Sequence, residues 1–184
     1  MAFNETWQLR ARFAKSLSDM YGEEVPAYTT LVEVSEEVNK RYMEKMGASA
    51  ERLGSIERVT AERHGAIRVG SPREMGQVAQ VFAAFGMYPV GFYDLREAAK
   101  SSVPVVSTAF RPTDKQELAK NPFRVFTSML ATDDPRFFSD DLQKRLHEFI
   151  ASRTIFGEEL LEMAAKAQEQ GGLDDVDADK FKIG

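Results

Sequence analysis

Hydrophobic residues recur every three or four positions in two stretches near the N-terminus, which predicts two amphipathic helices. Asn4 is the expected N-cap of the first helix, and Gly22 is its expected end. The second helix is expected from about Thr30 to Gly47, where a glycine again favours termination. The apolar positions of the two helices are Trp7, Phe13, Leu17, Met20 and Tyr21, and then Leu31, Val34, Val38, Tyr42 and Met46.

A third helix is expected over 72–85, and its boundaries are the clearest in the chain. Ser71 and Glu74 have the spacing of a capping box, and Pro72 occupies the first helical position. Gly86 favours an end directly after the last apolar residue. The apolar positions are Met75, Val78, Ala79, Phe82 and Phe85. We expect the helix to pack on the outside of a sheet through Met75, Val78 and Phe82.

Short runs rich in valine, phenylalanine, tyrosine and threonine predict four strands around this helix. The strands are 64–69, 87–93, 103–111 and 123–130. One strand, a helix and three further strands make a β-α-β-β-β module, which can curl into a half-barrel with a concave face. We therefore predict an α+β fold in which this half-barrel is flanked by N-terminal and C-terminal helices.

The same pattern divides the chain into an N-terminal helical segment (1–47), the β-α-β-β-β module (48–135), C-terminal helices (136–172) and an acidic end (173–184). The acidic end has aspartates at alternating positions but lacks the glycine and glutamate of a calcium loop, which favours a solvated linker. An alternating segment then begins at Phe181, so we expect an N-terminal portion of a longer protein.

Composition excludes several classes of function. The 184 residues carry a net charge of −5, so there is no basic excess to attract nucleic acid or anionic lipid. The chain has no cysteine, which excludes disulfides, thiolate zinc sites and a thiol nucleophile. No apolar run approaches the roughly 18 residues of a membrane helix, and the first residues lack the features of a signal peptide. We therefore expect a cytoplasmic protein.

Two polar pairs on the expected strands are candidates for a binding site. His64 and Arg68 share one face of a strand, and a neutral imidazole can bind a metal while a guanidinium binds a carboxylate. Ser107 and Arg111 also share a face and suit a small polyanionic substrate. The residue types alone favour a structural histidine beside a solvated arginine for the first pair, and an edge strand that ends in an arginine for the second.

Three motifs in these strands carry a resemblance to a known family. They are Arg63-His64-Gly65-Ala66-Ile67-Arg68, Gly91-Phe92-Tyr93-Asp94-Leu95 and Ser107-Thr108-Ala109-Phe110-Arg111-Pro112. With these motifs, the chain from about residue 5 to residue 170 resembles the first half of the 2-oxoadipate dioxygenase/decarboxylase family. That family is related in shape to the vicinal-oxygen-chelate enzymes.

The resemblance implies an iron(II) site of two histidines and one glutamate, and conversion of 2-oxoadipate and O2 to 2-hydroxyglutarate and CO2 in lysine breakdown. The first metal histidine of the family falls on His64, and the arginine that binds the substrate carboxylate falls on Arg68. Ser107 and Arg111 are further candidates for substrate binding. The second histidine and the glutamate are expected beyond this chain, in the remaining C-terminal part of the protein. His147 is expected to be an ordinary histidine on a helix surface.

Two alternatives stay open at this level. One is an isomerase or lyase of the same fold that uses zinc or another divalent metal, since one ligand position does not select a metal. The other is a non-catalytic binding module that keeps the concave face without a metal.

Overall fold

The computed structural model describes residues 2–47, 64–97 and 102–183. The chain forms two compact units, one made of residues 1–11 and 64–184 and the other of residues 12–63. Within the described ranges, no helix is both long enough and apolar enough to cross a membrane.

A mixed four-stranded sheet is the centre of the first unit. Its strands are β2 (His64–Val69), β3 (Tyr88–Asp94), β4 (Val105–Arg111) and β5 (Arg124–Leu130). They lie in the order β2-β5-β4-β3, with β2 parallel to β5 and the other two pairs antiparallel. The strands β2 and β3 therefore run in the same direction at opposite edges. The predicted α+β class with its β-α-β-β-β order is confirmed.

Helix α3 (Pro72–Ala84) connects the two edge strands and packs on one face of the sheet. As predicted, its N-cap Ser71 accepts a hydrogen bond at 3.3 Å from the backbone N–H of Glu74. Phe82 is buried, and its ring centroid lies 5.1 Å from that of Phe110 on β4. The other side of α3 packs on helix α6 (Glu158–Gln170). The helix is thus held between the sheet and α6.

The N-terminus begins as a strand, so the prediction that Asn4 is a helix N-cap is wrong. Strand β1 (Phe3–Glu5) pairs in antiparallel fashion with β6 (Gly172–Asp174), and the Asn4 side chain donates to the Asp175 carboxylate at 2.9 Å. Pairing with a strand that is distant in sequence outweighs the local preference of these residues for a helix N-terminus. The first two helices are α1 (Thr6–Glu24), which continues past Gly22, and α2 (Pro26–Met46).

The prediction of a solvated acidic linker over 173–184 is also wrong. Leu173 is fully buried in β6, and helix α7 (Asp175–Ile183) follows directly. The Asp174 carboxylate accepts a hydrogen bond at 3.0 Å from the backbone N–H of Asp177, as a capping residue does. Acidic residues favour the N-terminus of a helix because of its dipole. The aspartates therefore start a helix whose buried side chains include Phe181.

Two further helices flank the sheet strands. The short helix α4 (Lys115–Lys120), which the sequence pattern did not predict, is capped by Asp114, whose carboxylate accepts from the backbone N–H groups of Gln116 and Glu117. Helix α5 (Asp140–Ser152) follows β5, as the prediction of C-terminal helices over 136–172 requires.

A fully buried arginine near the start of α1, within the first unit, contacts the loops around the sheet. The Arg10 guanidinium donates to the carbonyl oxygens of Phe85 (2.6 Å), Glu117 (2.9 Å) and Asn121 (3.1 Å). It also forms an ion pair with the Glu117 carboxylate at 3.2 Å. Removing one partner of a buried ion pair lowers the stability of the fold strongly, because the remaining buried groups lose their hydrogen bonds.

We expect Arg10→Met to lower the free energy of unfolding by about 3 kcal/mol, because it leaves buried carbonyls without donors. Urea unfolding followed by circular dichroism measures the loss. The matched control is Arg41→Met, since Arg41 is an exposed arginine whose ion pair with Glu37 lies on the surface of α2. The control should change the free energy of unfolding by less than about 0.5 kcal/mol. Equal effects of the two variants would contradict the prediction.

Candidate active site on the open face of the sheet

The two faces of the sheet differ in what covers them. On the face toward α3, Val69, Phe110 and Val125 are buried. On the opposite face, which we call the open face, Arg68 is exposed and Phe126 keeps 40% of its surface. The alternation of side chains along β2 and β5 therefore separates a core face from a face available to a ligand.

A polar row crosses the open face through adjacent strands. Arg68 is the register partner of Ser128, Ser128 of Ser107, and Ser107 of Tyr93. The hydroxyl oxygens of Ser107 and Ser128 are 2.8 Å apart, so one donates to the other. Within the described part of the chain, the Arg68 side chain has no hydrogen-bond or ion-pair partner, whereas Ser107 is only 4% exposed. The arginine is thus a cation that a ligand can approach.

Gly91, the first residue of the motif Gly91-Phe92-Tyr93-Asp94-Leu95, lies at an irregular position of β3. Gly91 has a positive φ of 78° at an irregularity in the register, and a Cβ at this position would lie 3.1 Å from the Tyr93 hydroxyl. The bulge places Tyr93 opposite Ser107, with its ring centroid 5.7 Å from that of Phe126. Glycine at this position lets the tyrosine ring fold over the backbone and border the open face.

The other predicted pair is split between two ends of this face. Arg111 is on the same face as Ser107, as predicted, but the register of β4 and β5 puts it at the level of Arg124, which pairs with His64. Its guanidinium donates to the Pro112 carbonyl oxygen at 3.2 Å. Ser107 therefore belongs with Arg68 at one end, and Arg111 belongs with the beginning of β2 at the other.

His64 is the first residue of β2. Its backbone is described, and its position has the same parity as that of Arg68, which agrees with the predicted shared face. The assignment of its imidazole as a metal ligand falls outside the described side chains and stays a prediction. Among residues 2–47, 64–97 and 102–183, no three histidine or carboxylate side chains converge on one point. The described donors by themselves do not fit a site of two histidines and one carboxylate.

A cavity of about 220 Å³ lies between the open face and α5. Arg68 and Ser128 supply polar groups to it. Its walls are mainly apolar, a composition typical of small-molecule sites. The apolar residues that line it are Val105 and Leu130 on the sheet and Leu146, Phe149 and Ile150 on α5, with Val69 at the end of β2.

An ion pair holds α5 at the edge of this cavity. Arg153 donates two hydrogen bonds to the Glu74 carboxylate, at 2.6 and 2.7 Å, and the backbone N–H of Gly70 donates a third at 2.6 Å. The hydrogen bonds from Arg153 lower the pKa of the Glu74 carboxyl. The predicted capping-box glutamate thus has a second role as an anchor for α5, which its spacing from Ser71 does not reveal because the partner is far away in sequence.

His147 provides a second connection of α5. It is half-exposed on the helix, as predicted, and its Nε2 lies 3.0 Å from the Thr132 hydroxyl and 2.9 Å from the Asp133 carboxylate. These contacts link α5 to the segment that follows β5. Sequence reasoning missed them because only the fold brings 132–133 beside this helix.

Comparisons with known proteins identify the family of this chain. The family model for 2-oxoadipate dioxygenase/decarboxylase matches residues 13–182. A protein of that name from Mycobacterium tuberculosis is 60% identical over 177 residues, which cover 96% of this chain and 42% of that protein. The chain therefore spans less than half the length of this curated relative.

Solved structures show the same similarity in three dimensions. The crystal structure of the hydroxyglutarate synthase from Pseudomonas putida in complex with 2-oxoadipate has a TM-score of 0.84 and 43% identity, covering 98% of this chain and 40% of that one. A putative glyoxalase superfamily protein from Ralstonia eutropha has a TM-score of 0.51 at 13% identity, covering 83% of this chain and 48% of that one, which is a likeness of fold alone. The predicted vicinal-oxygen-chelate-like fold is consistent with this neighbour. On the matched residues and these relatives, the chain belongs to the 2-oxoadipate dioxygenase/decarboxylase family.

Proposed function

We propose that the protein carrying this chain converts 2-oxoadipate and O2 to 2-hydroxyglutarate and CO2, a step of lysine breakdown. One carbon leaves as CO2, and both atoms of O2 are accounted for in the two products. The family membership and the relative solved with 2-oxoadipate support this proposal. The single observation in this chain that carries it is the exposed Arg68, with no partner among the described residues, at the wall of a largely apolar cavity.

The role of Arg68 in the proposal is to bind the carboxylate distant from the oxo group. A guanidinium fork matches a carboxylate with two parallel hydrogen bonds, which fixes both the distance and the orientation of the substrate. Holding the substrate in one orientation is itself a large contribution to catalysis. Ser107 supports the same end of the face through its bond to Ser128, while Arg111 is the candidate cation at the end near His64.

The proposed cofactor is iron(II), with His64 as one protein ligand. A site of two imidazoles and a carboxylate leaves positions open for a 2-oxo acid and O2, which is the usual arrangement in non-haem iron oxygenases. The two remaining ligands are proposed to come from outside these residues, in the further length that the relatives have. A cytoplasmic location remains an expectation.

We expect this chain alone to bind iron weakly and to consume no O2 with 2-oxoadipate, because a single imidazole leaves the ion mostly to water. A chimaera in which the chain replaces the matched 177 residues of the Mycobacterium tuberculosis relative should restore both properties. Iron content after gel filtration and the rate of O2 uptake are measured for the chain alone and for the chimaera side by side.

Three other results would contradict the proposal. Stoichiometric iron and O2 uptake in the chain alone would show that all ligands lie within it. A product formed by the chimaera without O2 uptake would favour a metal-dependent isomerase or lyase. A chimaera that binds 2-oxo acids but neither holds metal nor forms product would favour a binding module.

A further inference from the structure

We infer that the cavity between the open face and α5 selects the substrate by chain length and by its distal carboxylate, with Ser128 as a second donor and Leu146 as the wall that measures length. This inference rests on the proposed function and deepens it. The sequence patterns assign neither residue to a site, because strand register puts Ser128 beside Arg68 and only the folded protein brings Leu146 to the sheet.

The polar end of the cavity has a second donor beside the arginine. Ser128 is the register partner of Arg68, and both line the cavity. The nearly buried Ser107 lies on the other side of Ser128, with 2.8 Å between the hydroxyl oxygens. When Ser107 donates to Ser128, the Ser128 proton is left to donate elsewhere. A carboxylate bound by the Arg68 fork can then accept that proton as a third hydrogen bond.

The opposite wall is apolar and belongs to α5. Leu146 and Phe149 reach the cavity from the helix, facing Val105 and Leu130 on the sheet. The volume of about 220 Å³ is below the usual 300–1,000 Å³ of drug-sized ligand pockets, so it suits part of a short-chain acid. The cavity lies at the end of the face away from His64, so an acid whose oxo group is held near His64 reaches it with its distal end. Each additional methylene carries that end further toward Leu146, where it gains apolar contact only if there is room.

The other arginine that lines the cavity, Arg153, is paired with a carboxylate. Arg153 lines the cavity, but its guanidinium is held by the Glu74 carboxylate at 2.6 and 2.7 Å. Its charge is therefore matched, and among the described residues that line the cavity Arg68 is the cation left for an acidic ligand. The same ion pair keeps α5 at a set distance from the sheet, which a wall that measures length requires.

The test measures kcat/KM of the chimaera for 2-oxo diacids of five, six and seven carbons and for the six-carbon 2-oxo monoacid. We expect Leu146→Ala to raise the seven-to-six-carbon ratio about ten-fold and Leu146→Phe to shift preference toward five carbons. Ser128→Ala should lower the preference for diacid over monoacid about ten-fold. Leu142→Ala is the matched control, since Leu142 lies on α5 outside the cavity lining and should leave the ratios unchanged.

A binding measurement separates this inference from the proposed function. Calorimetric titration of the 184-residue chain with glutarate, adipate and pimelate needs neither iron nor turnover. A ranking that shifts with Leu146 while no chimaera turns over a 2-oxo acid would uphold the cavity and overturn the proposed function. Turnover with the same chain-length ratios in both Leu146 variants would overturn the inference and leave the proposed function intact. No binding and no turnover would overturn both.

Discussion

Replacing His64 with alanine in the chimaera should remove iron and activity together. The proposed site has three protein ligands, and losing one imidazole removes much of the affinity for the metal. Iron content by elemental analysis and O2 uptake with 2-oxoadipate should both fall to background.

The chain offers a matched control for this prediction. His147 is the other of its two histidines, and it is bonded to Thr132 and Asp133 on the surface of α5. His147→Ala should therefore keep a full complement of iron. Retention of iron by His64→Ala, or its loss in His147→Ala, would mean that the wrong histidine is assigned to the metal.

Arg68→Ala should leave iron in place while kcat/KM for 2-oxoadipate falls by about 30-fold to 1,000-fold, which corresponds to roughly 2–4 kcal/mol. The variant removes the guanidinium that is proposed to bind the substrate carboxylate, and it removes no predicted metal ligand. If the arginine fixes orientation, much of the loss should appear in kcat as well as in KM. Arg68→Lys should recover little, because an ammonium is a point charge without the planar fork.

The role of Arg68 is decided by measuring both iron content and kcat/KM in Arg68→Ala. Arg145→Ala is the control, since Arg145 is an exposed arginine on α5 outside the cavity lining. It should change neither quantity. Near-normal kinetics in Arg68→Ala would exclude it as the anchor and make Arg111, at the other end of the open face, the next residue to replace.

Local patterns in the sequence were enough for the elements that depend on local physics. The four strands have alternating or β-branched runs, and the structure places each of them within two residues of its predicted bounds. Helix α3 has a cap, a proline and an apolar stripe, and it forms where these predict. The shared parity of 64 and 68 follows from strand geometry alone, so the candidate pair was visible before the fold was known.

The sequence also led to wrong conclusions where a distant partner decides the structure. Asn4 has the chemistry of an N-cap, but pairing with β6 makes it part of a strand. The aspartates from Asp174 onward have the composition of a linker, yet burial of Leu173 and Phe181 in the first unit makes them the start of α7. In both places, non-local burial outweighs local preference.

The sequence by itself determined which residues are on strands and helices, which of them share a face, and which family the chain resembles. Only the tertiary structure decided that Ser128 stands beside Arg68 and that Arg111 lies at the other end of the face. It also decided that α5 closes a cavity over Arg68 and Ser128 and is held there by the ion pair of Glu74 and Arg153. Periodicity reports how a segment divides its side chains between two faces. Strand order, register and ion pairs join residues tens of positions apart, and they depend on packing of the whole unit.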